Sequence, residues 1–401
     1  MSHFRFTYKT TMTACFLGYI VQAIVNNFLP LLFLQLQREF AIPLSQITLL
    51  VTFNFGLQLL VDLLSTFLVD KIGYRRAAVL AHACAALGFA LLTMLPGILP
   101  PFIGVLLSVL VYAVGGGLLE VIVSPIVENC PTSNKESAMS LLHSFYCWGH
   151  VGVVLLSTLF FKLAGIGSWR TLALLWAIVP LSNLLLFLRT PINEPKPEDP
   201  SKSGIGELFK NGLFWIFMVM MLSAGASEQA VSQWASAFAE QGLGISKALG
   251  DLTGPMAFAA LMGAGRAIYG KYGSKIPLHR FMALCAAVCA GSYLLISLSP
   301  LPALSLVGCG ICGLSVGVMW PGTFSKAAAS LKNGGTAMFA LLALMGDLGC
   351  ASGPTVVGAV SDLAGGNLKT GILCAVGFPL MLMLCLALEK RKKQQTEHPS
   401  H

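Results

Sequence analysis

Charged side chains are scarce in this chain: Asp, Glu, Lys and Arg make up only 10% of its 401 residues, against roughly 25% in a typical soluble domain. Hydrophobic residues make up 56% and recur in long runs from Thr11 almost to Leu388. A water-soluble fold could not bury so much apolar surface, so that class is excluded. The composition predicts an all-α membrane protein, because helices satisfy their own backbone hydrogen bonds in lipid.

The sequence also lacks the patterns of an enzyme. It contains no glycine-rich nucleotide loop, no metal-ligand set and no nucleophile–base pair. We therefore predict no catalytic residue, no metal and no cofactor. The 11 cysteines are scattered, and the Cys309 and Cys312 pair has no second pair, so we interpret them as packing residues. The first apolar run is too long for a signal peptide, and we expect it to remain in the mature protein.

Apolar runs long enough to cross a bilayer, roughly 20 residues each, recur along the chain. We predict twelve transmembrane helices, near residues 10–34, 45–69, 77–96, 101–127, 137–162, 169–188, 211–239, 250–271, 277–298, 301–330, 336–361 and 366–388.

The Lys and Arg residues predict the orientation, since cytoplasmic loops retain them. With both termini in the cytoplasm, only Arg38, Lys162, Arg170, Lys247 and Lys369 of the 25 cations fall on the opposite side. The cytoplasmic set includes Arg266, assigned there to the end of the eighth span. The net charge of +8 then reflects topology, and no nucleic-acid partner is needed to explain it. We expect a multi-pass protein of the cell (inner) membrane.

The chain divides into two halves. A segment rich in proline, serine and charge separates six predicted spans from six others, which gives an N-terminal half at 1–189, a cytoplasmic linker at 190–210 and a C-terminal half with a cytoplasmic tail at 211–401. The loop Asp70–Arg76 after the second span has a weaker echo in Gly270–Lys275 after the eighth. Such an echo indicates an internal duplication.

The loop after the second span resembles the signature Gly-x-x-x-Asp-Arg-x-Gly-Arg-Arg of the major facilitator superfamily. The matching positions are Asp70, Gly73, Arg75 and Arg76, whereas Thr66 and Lys71 depart from the signature. The resemblance implies the major facilitator fold, with two six-helix halves around a midplane cavity that opens alternately to each side. We expect Gly73 to permit a tight turn, and the charged residues of this loop to form a cytoplasmic gate.

Three further stretches resemble the fucose permease branch of sugar:proton symporters. The first stretch begins with three glycines, continues as Leu118-Leu119-Glu120 and is followed by Ser124-Pro125. The others are Leu142–Phe145 and Gly225–Glu228, the last with Trp234 behind it. The first span departs from the fucose permease, because it offers only Gln22, Asn26 and Asn27 where that protein carries an aspartate. The coupling scheme of that protein therefore does not transfer intact.

Glu120 and Asp347 are carboxylates at membrane depth, where an ionisable group is expensive and usually functional. Glu120 lies in the fourth span, at a depth similar to that of His143 in the fifth, because a short loop joins the two helices. Asp347 lies about 11 residues into the eleventh span, beside Gly346 and Gly349. We predict that Glu120 and Asp347 carry the coupled proton. A buried pair that only pins helices together is the alternative for Glu120 and His143, as is a structural hydrogen bond for Asp347.

Polar and aromatic side chains inside other spans are candidate solute ligands. Asn54, Gln58 and Asp62 are spaced by four and share one helical face, as do Gln229 and Gln233. Hydrogen bonding between helices, or simple packing, is the alternative for each group. The predicted substrate-binding set is Asn26, Asn54, Gln58, His143, Trp148, Glu228, Gln229, Gln233, Trp234 and Trp320.

Together these features predict a monomeric secondary active transporter that moves a small polar solute, first among them a sugar or sugar derivative, with a proton. An efflux antiporter for drugs or metabolites is the alternative, since 24 Phe and 15 Met could line an apolar cavity. A membrane sensor or enzyme is a further class, but no soluble domain or catalytic motif supports it.

Overall fold

In the computed structural model, the described residues are 7–131, 135–193, 205–272, 277–331 and 335–397, and every regular element among them is helical. The chain forms two compact units, Met1–Pro197 and Glu198–His401. The predicted all-α fold is therefore confirmed for the described part of the chain. Residues 194–204, which make up much of the predicted linker, lie outside it.

The first unit consists of long helices joined by short turns. A 3₁₀ turn, Leu29–Leu32, follows the first helix where Pro30 interrupts the α-helical hydrogen bonds. The helices are α1 (Tyr8–Asn27), α2 (Phe33–Phe40), α3 (Leu44–Ile72), α4 (Tyr74–Ile98), α5 (Pro101–Glu128), α6 (Lys135–Ala164) and α7 (Trp169–Arg189).

The second unit has more interrupted helices. Two π-helical segments, Phe238–Gly242 and Leu252–Met256, lie within helical stretches. The α-helices are α8 (Ile205–Lys210), α9 (Gly212–Ser232), α10 (Ala235–Ala237), α11 (Lys247–Asp251), α12 (Ala257–Tyr272), α13 (Leu278–Leu298), α14 (Pro302–Val316), α15 (Met319–Ser330), α16 (Gly335–Leu363), α17 (Leu368–Cys374) and α18 (Gly377–Glu397).

Within the described residues, 11 helical stretches are long and apolar enough to cross a membrane. The predicted span at 250–271 is not among them. Its helical path is divided into α11, a π-helical segment and α12, and Pro255 lies at the interruption. A π segment inside a helix often marks a functional position.

Helix α3 has an exposed leucine face and a buried polar face. Leu60, Leu64 and Leu68 are each about half exposed, at 48%, 50% and 49%, and four-residue spacing places them on one face. Asn54 and Gln58, by contrast, are 5% and 3% exposed. The leucine face is suited to lipid, so the polar face is the one that packs against protein.

Consecutive glycines let neighbouring helices approach α5 closely from different directions. A Cβ on Gly115 would lie 2.5 Å from the carbonyl oxygen of Ala81 in α4. A Cβ on Gly117 would lie 2.9 Å from Cβ of Val61 in α3. Any larger residue would push these helices apart, so the glycine run fixes the packing just before Glu120.

In the second unit, α9 and α16 make close backbone contacts through glycine. A Cβ on Gly225 would overlap the carbonyl oxygen of Gly346, and one on Gly349 would overlap that of Leu222. A Cβ on Gly353 would lie 2.5 Å from the carbonyl oxygen of Ala226. Small residues at helix contacts are the usual means of close packing in membranes.

Candidate functional site

A network of amide side chains connects α1, α3 and α5 in the first unit. Gln22 donates from Nε2 to Gln58 Oε1 at 3.0 Å and to Glu120 Oε2 at 3.1 Å. Gln58 in turn donates to Asn26 Oδ1 at 2.8 Å and to Asn54 Oδ1 at 3.1 Å. The predicted polar face of α3 therefore takes part in hydrogen bonds between helices, and these bonds lead directly to the carboxylate of Glu120.

Gly116 makes room for this network. A Cβ there would lie 2.9 Å from Gln22 Oε1 and 3.1 Å from Gln58 Cδ. The middle residue of the glycine run thus faces the amides while its neighbours face α4 and α3. The glycine run therefore fixes the helix packing and also leaves space for the side chains that reach Glu120.

Asp62 extends the polar face of α3 towards Glu120. Carboxylate oxygens of the two residues lie within 4.8 Å of each other, and both residues are half-buried. Two carboxylates this close repel each other when both are ionised, so protonation of one of them relieves the repulsion. The arrangement can therefore hold a proton.

His143 and Trp148 are more open than the amides. The His143 ring lies against Tyr19, with centroids 5.4 Å apart, and the Tyr19 hydroxyl hydrogen-bonds Ser124 Oγ at 3.2 Å. His143 is exposed, and Trp148 is 59% exposed. Tyr19 thus connects α6 to α5 one turn beyond Glu120, and an aromatic ring face of Trp148 is accessible.

The second unit holds an ion pair inside its helices. Arg266 Nη2 lies 3.5 Å from Glu228 Oε2. Gln229 donates to the other carboxylate oxygen, Oε1, at 3.4 Å, and Gln233 donates to Gln229 Oε1 at 3.1 Å. The predicted proximity of Gln229 and Gln233 is observed, and their chain of donors ends at a carboxylate, as it does in the first unit.

The remaining candidates of the second unit have different surroundings. Trp234 is fully buried and donates from its indole nitrogen to the carbonyl oxygen of Pro354 at 2.9 Å, so its ring is closed to a solute in this conformation. Trp320 is half-buried, and its ring packs against Gly346. Asp347 is half-buried on α16, between the glycines that contact Trp320 and α9.

The predicted gate loop forms a turn between α3 and α4. Gly73 has φ of 85°, a value that strongly favours glycine, so the predicted tight turn is present. Arg75 donates to the carbonyl oxygens of Phe187 at 2.7 Å, Leu188 at 3.0 Å and Thr190 at 2.7 Å. Arg76 is exposed, and the side chain of Asp70 lies outside the described residues. Arg75 thus caps the C-terminal end of α7, where a cation is favoured.

Sequence reasoning overlooked two residues of these clusters. In the sequence, Gln22 stands out only because the first span lacks the aspartate of the fucose permease, yet its amide is the link to Glu120. From the sequence, Arg266 is counted with the cytoplasmic cations at the end of the eighth span, but the residue lies six residues before the end of α12 and pairs with Glu228. The sequence did contain an indication of this pairing, because an arginine that lies several residues inside an apolar helix needs a partner.

The comparisons with known proteins agree with one another on the fold of this chain. The chain matches the family model described as Major Facilitator Superfamily over residues 12–354. A probable nitrate transporter, NarT of Staphylococcus epidermidis, is 25% identical over 297 residues, which cover 72% of this chain and 73% of that protein.

Solved structures of transporters superpose on nearly the whole chain. A bacterial homologue of the human lysosomal transporter Spinster has a TM-score of 0.74 at 17% identity, covering 96% of this chain and 97% of its own. The fucose:proton symporter FucP of E. coli has a TM-score of 0.66 at 17% identity, covering 95% and 99%. The nucleoside transporter NupG has 0.75 at 13% identity, also covering 95% and 99%. This multi-pass membrane protein belongs to the Major Facilitator Superfamily and is a transporter, not an enzyme.

Proposed function

We propose that this transporter moves a small polar solute, a sugar or sugar derivative, together with a proton by alternating access. The observation that carries the proposal is the hydrogen-bonded chain from Asn54 through Gln58 and Gln22 to Glu120. It combines neutral donors and acceptors with a carboxylate at membrane depth. These are the groups that a hydroxyl-rich solute and a proton require.

The amides suit a solute with many hydroxyl groups. Each amide offers both donors and an acceptor, and so can either donate a hydrogen bond to a hydroxyl or accept one from it. Gln22 Oε1 accepts no hydrogen bond from the described residues. Because it is buried in this conformation, we propose that it accepts from a solute hydroxyl once the helices around it open. Trp148 shares one face of α6 with the half-exposed Leu141 and Leu155, a face suited to lipid, so we leave it out of the proposed solute contacts.

Glu120 and Asp62 supply the proton site. Their carboxylate oxygens lie within 4.8 Å of each other, so one of the two groups gains or loses a proton as its access to water changes. Gln22 then couples the protonation state of Glu120 to Gln58, because its single amide nitrogen donates a hydrogen bond to each of them. Asp347 and His143 are secondary candidates for proton coupling and for solute contact respectively.

The similar proteins are named for different solutes: nitrate, fucose and nucleosides. The solute class is therefore proposed from the site. Of these, FucP is named as a proton symporter, which agrees with the proton proposed for Glu120. We further propose the cell membrane as the location, a monomer as the working unit, and Asp70, Gly73, Arg75 and Arg76 as parts of the cytoplasmic gate.

The test is to replace Glu120 with Gln, which keeps the shape and removes the proton site. In proteoliposomes, we expect uptake driven by a pH step to be lost, while exchange of labelled for unlabelled solute persists. Exchange needs solute binding and movement but no net proton transfer. The solute is first chosen by a thermal-shift screen of sugars, polyols and amphiphiles, since a ligand stabilises the folded state it binds.

A matched control is Glu128→Gln, which removes an exposed carboxylate at the end of the same helix. We expect this variant to retain driven uptake. Undiminished pH-driven uptake by the Glu120→Gln variant would remove Glu120 from the mechanism. Stabilisation by amphiphiles alone would instead favour the efflux antiporter.

A further inference from the structure

Among the described histidines, His82 of α4 and His150 of α6 are the two that the protein encloses, with 0% and 2% of their surfaces exposed. Nδ1 of His82 lies 2.7 Å from the carbonyl oxygen of Ala78, which can only accept, so this nitrogen carries the hydrogen. Nε2 then accepts a hydrogen bond from Asn183 at 2.8 Å. Both polar atoms of His82 are therefore satisfied within the protein.

His150 differs from His82 in its partners. Its ring makes no hydrogen bond or ion pair with another residue of the described ranges. The residue lies near the middle of the apolar stretch Leu141–Ala164, at a depth where lipid offers no hydrogen bond. Nearly every buried polar group of a folded protein is hydrogen-bonded, so an exception needs an explanation. An ionisable side chain at membrane depth is usually functional.

Packing alone does not explain a histidine at this position. A buried polar group without a partner costs free energy that an apolar side chain of similar size, such as leucine, does not cost. Val153 and Val154 in the next turn are 1% and 0% exposed, so this part of α6 accepts aliphatic side chains. A histidine here is explained by a partner that binds in another state of the transporter.

His150 lies on the face of α6 that also carries His143. Seven residues separate the two histidines, which is two helical turns or about 10 Å along the axis. The ring of His143 lies against Tyr19 of α1, and beside His150 a Cβ on Gly149 would lie 2.9 Å from Cβ of Ala23. The seam between α1 and α6 thus runs from the exposed His143 to the enclosed His150.

Two more polar side chains, Asn27 and Tyr146, lie in this seam. Tyr146 precedes His150 by one helical turn, and its hydroxyl lies 3.5 Å from Nδ2 of Asn27. Asn27 is 3% exposed and also donates to the carbonyl oxygen of Ala23 at 2.9 Å. These two side chains have partners in this conformation. His150 is the one of the three with hydrogen-bonding capacity left for a ligand.

We propose that His150 binds a hydroxyl group of the solute when the transporter opens towards the C-terminal end of α6, the side opposite the proposed cytoplasmic face. A neutral imidazole has one donor and one acceptor, and a hydroxyl group can match either. The inference rests on the proposed function and adds a solute contact on α6 to those of the amide network.

The first measurement compares the thermal unfolding of His150→Leu and His82→Leu in the purified full-length protein without solute. Leucine removes the ring nitrogens and keeps a side chain of similar size. We expect His150→Leu to unfold at the wild-type temperature or above it, because no hydrogen bond is lost. His82→Leu is the matched control and should unfold at a lower temperature, since Asn183 loses one of its acceptors.

The second measurement is the shift in unfolding temperature with D-glucose, D-galactose, L-fucose and sorbitol. We expect a probe that stabilises the wild type to bind His150→Leu about ten-fold more weakly, which corresponds to the loss of about one hydrogen bond. His150→Gln keeps a donor and an acceptor, so it should bind the probe more tightly than His150→Leu does. His82→Leu should bind the probe as the wild type does.

The inference is overturned if His150→Leu destabilises the empty protein as much as His82→Leu, because the ring would then have a structural partner. It is also overturned if a sugar that stabilises the wild type binds His150→Leu equally well, and in that case the proposed sugar transport still stands. Absence of a shift with all four probes in the wild type would count against both the proposed function and the inference.

Discussion

A single amide group, that of Gln22, holds Glu120 and Gln58 together. The amide nitrogen donates one hydrogen to each partner, so both Glu120 and Gln58 lose a hydrogen bond once Gln22 is replaced. Arg266 has the same importance in the second unit, where it neutralises Glu228. At the scale of the residue, each cluster thus depends on a side chain that connects a carboxylate to a neighbouring helix.

Replacing Gln22 with Leu should therefore destabilise the protein. Gln58 Oε1 loses the donor of Gln22 at a buried position, and an unsatisfied buried group costs about 1–3 kcal/mol. Glu120 Oε2 loses a further hydrogen bond. We expect a lower midpoint of thermal unfolding for the purified protein and a loss of pH-driven uptake.

The control for Gln22 is Gln46→Leu, at a half-buried position in the first turn of α3. This variant should unfold close to the wild-type temperature. Equal unfolding temperatures for the two variants would show that the network contributes no stability.

At the scale of the element, glycine decides how closely the helices approach. In the first unit, a Cβ on Gly149 of α6 would lie 2.9 Å from Cβ of Ala23 in α1. In the second, Gly349 and Gly353 of α16 bring that helix against α9. The first and fifth long helices of each unit therefore meet through glycines of the fifth, which is the pairing that an internal duplication would repeat.

Replacing Gly349 with Ala should disrupt the contact between α9 and α16. The added methyl group would overlap the carbonyl oxygen of Leu222 and lie 2.8 Å from the amide nitrogen of Ala226. Backbone atoms cannot rotate away as a flexible side chain can, so we expect a loss of about 1–3 kcal/mol, measured by thermal or denaturant unfolding in detergent.

Gly152→Ala is the matched control, because a Cβ there would have no heavy atom within 4 Å. This change should leave the stability unchanged or raise it by up to about 1 kcal/mol, since alanine favours the helix. A Gly349→Ala variant as stable as the control would mean that the helices separate without cost.

At the scale of the whole molecule, orientation follows from charge. All but five of the 25 Lys and Arg residues lie on one side of the predicted spans. Removing Arg266 from the cytoplasmic count, because it lies inside α12 and pairs with Glu228, changes this asymmetry by only one residue. The positive-inside rule concerns loops near the helix ends, so the proposed cytoplasmic placement of both termini is unaffected.

Reporter fusions would test the orientation. Green fluorescent protein fused after His401 should fluoresce in a bacterial host, because it matures in the cytoplasm. Alkaline phosphatase fused after Gly165, in the turn between α6 and α7, should be active, since it requires the opposite side. The reverse pair of signals would invert the proposed topology.

The sequence by itself determined the class of this protein, most of its spans and the polar positions within them, because lipid imposes length and hydrophobicity on every helix. It also predicted the turn at Gly73 and the shared face of Gln229 and Gln233. The tertiary structure alone decided the partners: Gln22 with Glu120, Asp62 beside it, and Arg266 with Glu228. Helical periodicity gives the direction of a side chain but not the neighbouring helix that it meets, which depends on glycine contacts between segments far apart in the chain.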